Sequence, residues 1–292
     1  MGRSTLAALA VAVLAISFAG PLFRLAAPTP PLVASGLRLV LAAACLLPFS
    51  ARAWRRGRLP PAHLRWGLVA GALYGVHFGA WVWSLTLTSV AASVTLVTAT
   101  PLLLALVGVA TGRDRPTRRL WLAIGLATVG VGIIGGSHLE LAGDALLGDA
   151  LAFLGAAAMA GYLLVVRRLG RVDPLGFTGI AAAVGGLGLL LVAALLGIAP
   201  VAASPAAWGW LALAAAVPQL VGHSLLTWSL RHTTPAIVGM ATVGEPVGAS
   251  IVAWLVLGEA VTGEVAVGSV IILAAVITAL WRPRPLLVEE HR

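Results

Sequence analysis

WSLTLTSVAASVTLVTATP, residues 83–101, lies over WSLRHTTPAIVGMATVGEP, residues 228–246, at an offset of 145 residues. Trp83, Ser84, Leu85, Thr88, Ala91 and Pro101 recur identically as Trp228, Ser229, Leu230, Thr233, Ala236 and Pro246. At the same offset Asp114 meets Glu259 and Thr117 meets Thr262. The chain is therefore a duplication, read as units 1–145 and 146–284 with a tail 285–292.

What the duplicated unit is follows from composition. Apolar residues fill 60% of the 292 positions and charged residues 10%. A soluble domain carries about 25% charged residues. A single soluble core cannot hide so much apolar surface, but a bilayer can. Charges and prolines cut the chain into spans of roughly 5–23, 31–49, 66–84, 89–110, 119–137, 148–166, 175–198, 207–229, 235–257 and 264–281. Two long uncharged stretches are split at turn residues, Thr86–Ser89 and Pro200–Pro205. The first twenty residues imitate a signal peptide. Their apolar character continues through Leu22 and Phe23, so an uncleaved first span is expected.

All nineteen basic residues are Arg. With the N-terminus inside, ten spans place seventeen of them on the cytoplasmic side, only Arg24 outside, and Arg38 within a span. This is a strong positive-inside signal for a multi-pass protein of a bacterial inner membrane with both ends cytoplasmic. It also accounts for the net charge of +9 without nucleic acid. Five spans per unit is odd, so the second unit must run inverted through the membrane. The expected fold is an all-α integral membrane protein with ten transmembrane helices as two inverted five-helix repeats. Inverted repeats build many secondary transporters, because halves of opposite orientation give similar inward-open and outward-open states.

Within the spans, Gly67, Gly71, Gly75 and Gly79 recur every four residues, the spacing of close helix packing. Beside them Tyr74, His77, Trp81, Ser84 and Thr88 fall within about 80° on a helical wheel. A polar and aromatic stripe at that depth is expected to face a cavity. On the eighth span Gln219, His223 and Thr227 share a face at i, i+4, i+8. His223 is one residue off strict repeat equivalence with His77. Glu245 and Arg38 stand as the charged residues inside spans, Glu245 near the middle of the ninth. A lone carboxylate there costs roughly 3 kcal/mol, so it needs a proton, a cation or water. Two readings stay open: Glu245 carries a coupling proton or a substrate ammonium, or it pairs structurally with Arg38 at a capped helix break. The Arg38 fork suits a substrate carboxylate, and it also suits a structural charge balance. Asp114 and Glu259 read as helix-end acids, Thr117 and Thr262 as helix starts, and Cys45 as a small core residue with no disulfide partner.

ATPLLLALVGVATGRDRPTRRLWLAIGLATVGVGII, residues 99–134, and GEPVGASIVAWLVLGEAVT, residues 244–262, resemble the EamA-type members of the drug/metabolite transporter superfamily. Arg38 with Ala42 matches the family's second span. One departure is the first-half loop, Gly112-Arg113-Asp114, one residue longer between glycine and acid than Gly258-Glu259. The resemblance implies ten helices and export or exchange of small metabolites.

No metal cluster, nucleotide-binding loop or cofactor motif is present, and no catalytic residue is expected; the chain reads as a carrier, not an enzyme. The expected substrate-binding or translocation residues are Arg38, Tyr74, His77, Trp81, Gln219, His223 and Glu245. They suit an amino-acid-like solute, with proton coupling and alternating access. The rival readings are a passive channel or an intramembrane enzyme; for the latter, Ser93 has Thr95 nearby but no base. The expected partners are a small-molecule substrate and the lipid bilayer, with a homodimer left open.

Overall fold

The computed structural model describes residues 2–88, 93, 96–135, 143–170 and 172–280. Ser89, Ala91, Thr95, Arg171, Arg282, Arg284, Arg292 and the tail lie outside them. The described residues form ten helical segments and no strand. These are α1 Arg3–Leu25, α2 Pro31–Arg55, α3 Pro61–Ser84, α4 Thr100–Thr111, α5 Arg118–Gly135, α6 Gly143–Leu169, α7 Pro174–Leu195, α8 Pro205–Ser229, α9 Pro235–Leu257 and α10 Gly263–Leu280. All but α3, α4 and α5 are long and apolar enough to cross a membrane.

The starts are written in the sequence. Five helices (α2, α3, α7, α8 and α9) open on a proline, whose fixed φ suits the first turn and whose missing N–H costs nothing there. Asp173, Ser204 and Thr234 cap the last three by accepting from Gly176, Ala207 and Ile237 at 3.0, 3.1 and 3.4 Å. Thr117 and Thr262 cap α5 and α10 in the same way. Two C-terminal ends carry the stops: Gly112 and Gly258 terminate α4 and α9 at φ 68° and 70°, which only glycine adopts freely.

Three rods are interrupted. α1 breaks at Ser17 and Phe18, and α9 breaks at Val243 and Gly244. α8 winds as a π-helix over Ala215–His223, around Pro218, which cannot donate to the preceding turn. Glu245 thus lies in the first turn of the second segment of α9 rather than mid-helix.

The packing respects the duplication. α2 packs on α7, α4 on α9 and α5 on α10, each helix against its own counterpart. α3 packs on α6 and α8 on α1, a pairing that maps onto itself when the halves are exchanged. The glycine stripe of α3 forms the seam with α7. A Cβ on Gly75 would sit 3.0 Å from the Cα of Gly185, and one on Gly185 would sit 2.8 Å from the Gly71 carbonyl oxygen. Backbone meets backbone there, so neither side can yield. Gly185→Val is expected to lower stability by about 1–3 kcal/mol, read as a fall in melting temperature of detergent-purified protein. An unchanged melting temperature would mean that the seam is loose.

Two expectations need correction. Cys45 is exposed rather than in the core; it sits on the outer face of α2 among exposed apolar neighbours such as Leu47 and Phe49. A third charged residue also lies inside a span: Asp149, in the second turn of α6, is buried and accepts from the Thr88 hydroxyl at 2.7 Å. Thr88 therefore hydrogen-bonds a helix-start acid and does not extend the α3 stripe.

Candidate functional site

Where α3 and α8 meet, two pairs of residues separated by the repeat offset touch each other. Gln219 Nε2 donates to Tyr74 Oη at 2.7 Å across a separation of 145 residues. Phe78 and His223, also 145 apart, meet edge to face at 5.2 Å between ring centroids. A residue contacts its own repeat counterpart only near the axis relating the halves. The π-winding of α8 helps bring Gln219 and His223 to that axis, since both lie within it.

An aromatic cluster grows around these pairs. Tyr74 stacks on Tyr162 of α6 at 4.6 Å and meets Phe78 and His223 edge-on at 4.9 and 5.7 Å. Tyr162 Oη and Thr227 Oγ1 are 2.9 Å apart. His77 Nδ1 donates to the Gly155 carbonyl at 2.9 Å, which fixes the proton on that nitrogen and leaves Nε2 as an acceptor in the neutral ring. The Trp81 ring lies nearly parallel to His77 at 6.4 Å.

Arg38 projects from α2 into this cluster. Its guanidinium carbon lies 4.0 Å from the centre of the Phe78 ring and 5.2 Å from that of Phe23. The ring faces attract the cation. The residue has no exposed surface, and none of its three guanidinium nitrogens has a hydrogen-bond partner among the described residues. Glu245 feels the charge of Arg38, but no ion pair joins them among the described residues. The structural pairing of the two, one of the open readings, is not made in this conformation. Gln219 Oε1, Trp81 Nε1, Ser224 Oγ and Ser229 Oγ are likewise buried without partners. Buried polar groups are almost always satisfied, so these unpartnered donors and acceptors among the described residues make the cluster the candidate site.

Glu245 reaches the site from a different direction. It opens the second segment of α9, where the helix N-terminus favours a negative charge. The broken turn of α1 packs on it: Ser17 Oγ donates to the Glu245 carbonyl at 3.4 Å and to Val13 at 2.7 Å. Its repeat counterpart, Thr100, opens the described part of α4 and donates to the Ala156 carbonyl at 3.2 Å. Proline follows both, so the two halves break their fourth helices alike while only the second half carries a charge.

Of the residues expected from sequence, Arg38, Tyr74, His77, Gln219 and His223 are joined by direct contacts, many of them through Phe78. Trp81 extends the cluster from His77, and Glu245 lies within electrostatic reach of Arg38. Ser84 turns away, bonding Trp81 O at 2.7 Å and the Ser93 hydroxyl at 2.6 Å. Phe78, Tyr162 and Phe23 were missed, because an aromatic in an apolar run reads as core. The repeat offset held the signal for Phe78, since it falls opposite His223.

A duplicated, helical, multi-pass membrane protein with a buried polar cluster at the junction of its halves has the organisation of a membrane carrier. Residues 3–136 and 146–281 each match the model of the EamA-like transporter family, and the chain belongs to that family, within the drug/metabolite transporter superfamily. No curated protein matches it significantly in sequence. A solved structure described only as the crystal structure of a protein shares the fold: TM-score 0.78, 18% identity, covering 95% of this chain and 97% of that one.

Proposed function

We propose that this EamA-family transporter is a secondary carrier of small, amino-acid-like organic solutes, working by alternating access between two inverted repeats. The reading takes residues 1–145 and 146–284 as the repeats, ten helices as spans, and both termini as cytoplasmic at a bacterial inner membrane. The observation that carries the solute class is Arg38: a wholly buried guanidinium with free donors on an aromatic floor is a receptor for a carboxylate. Tyr74, His77, Trp81, Gln219 and His223 line the path beside it, and Glu245 takes a coupling proton or the solute's ammonium. A packing scheme that maps onto itself when the halves are exchanged supports the symmetry that alternating access needs.

Direction is export or exchange. The test is a thermal-shift screen of the purified protein against a metabolite panel, followed by flux in proteoliposomes, because a bound solute stabilises the folded carrier. An amino acid or related carboxylate is expected to raise the melting temperature and to show saturable counter-exchange. If none shifts melting, the solute class is wrong. Flux that neither saturates nor counter-exchanges indicates a channel, and turnover without a gradient an enzyme.

A further inference from the structure

Asp114 and Glu259, separated by the repeat offset, occupy the loops that follow the counterpart helices α4 and α9. The extra residue of the first loop is absorbed at Asp114, which takes a left-handed φ of 51° that aspartate tolerates better than most residues. This loop folds back onto Gly108, where an added Cβ would sit 3.0 Å from the Asp114 carbonyl oxygen. Asp114 is held by Arg167 at the end of α6, with Nε and Nη2 donating to its two oxygens at 3.1 and 3.0 Å. Arg167 Nη1 also donates to the Leu230 carbonyl, beyond the end of α8, at 3.3 Å. Glu259 is ion-paired with Arg24 near the end of α1. Since α1 and α6 are counterparts, each half presents an acid that the first helix of the other half grips. Exchange of the halves turns one ion pair into the other.

We propose that these two ion pairs are the outer and inner gates of the transport cycle. This rests on the inverted-repeat, alternating-access reading above, which sets the pairs at opposite membrane faces. Arg24–Glu259 then breaks when the outer side opens and Asp114–Arg167 when the inner side opens. Both are closed here, and between them Arg38, Tyr74 and Gln219 have no exposed surface. Their strength suits the task. The four side chains are 31–52% exposed, and an exposed ion pair changes an equilibrium by at most about five-fold, enough to bias a balanced carrier without locking it. The forked inner pair with its third hydrogen bond is the firmer one, so the resting protein opens more readily outward.

The test is a pair of distance measurements between spin labels in a Cys45→Ala background. Thr86 and Ala260 report the outer end, and Arg115 and His232 the inner end; each pair draws one exposed residue from each half. Glu259→Gln is expected to raise the long-distance population at the outer end two- to five-fold, roughly the weight of one exposed pair. Asp114→Asn is expected to do the same at the inner end, and the double variant to restore the wild-type balance. Shifts in the same direction, or none, overturn the gates. If the wild-type protein itself shows a single fixed distance at both ends between pH 5 and pH 8, alternating access fails as well. Two wild-type populations that ignore both variants remove the gates alone.

Discussion

Arg38→Met is expected to abolish carboxylate transport and, at the same time, to raise the melting temperature. The guanidinium is fully buried, has no hydrogen-bond partner among the described residues, and lies against two ring faces that offset little of its lost hydration. Replacing a buried charged group with an apolar one of similar volume commonly stabilises by about 1–4 kcal/mol. Met keeps the length of the chain and packs against Phe78 and Phe23. A side chain that destabilises the fold yet persists in the core is one kept for function. The measurements are thermal unfolding in detergent and counterflow in proteoliposomes. A variant that melts lower than wild type, or that still transports, removes Arg38 from the role assigned to it.

Glu245→Gln separates the two functions open to that carboxylate. The amide keeps the shape of the side chain at the start of the second segment of α9 and cannot carry a proton. If Glu245 is the proton carrier, uphill transport driven by a pH gradient falls at least about tenfold, the scale of losing an essential titrating group. Exchange of solute for solute then persists. If Glu245 instead receives the solute's ammonium, both modes fall together. Accumulation that still follows the pH gradient at the wild-type level excludes the proton role.

The helices could be read from the sequence because the length of apolar runs and proline starts are local signals. Those signals put the helix bounds within a few residues over most of the chain. The breaks were harder to see. Ser17 and Phe18 interrupt α1 because Pro21, four residues on, cannot donate to the Ser17 carbonyl and its ring crowds it, but a proline inside an apolar run does not show that the Ser17 hydroxyl then reaches α9. The π-winding of α8 has a local cause in Pro218, but a proline alone does not distinguish a wide turn from a kink. Asp149 was overlooked because its partner, Thr88, follows another helix entirely. At the site, polar residues in apolar runs announced themselves, as Arg38, His77 and Gln219 did. Phe78, Phe23 and Tyr162 did not, since their chemistry matches that of ordinary packing.

The contact between Tyr74 and Gln219 also bears on how the protein came to be one chain. In a dimer of identical subunits, a residue on the dyad meets only its own copy, so a donor must face a donor and a cation a cation. Fusing the two copies into one gene frees each such position to choose a partner unlike itself. The chain uses that freedom twice among the described contacts: phenol meets amide, and phenyl meets imidazole. A solute lying across this dyad meets different groups on its two sides, so the protein can hold an asymmetric molecule in a single orientation, which no symmetric ancestor could have done.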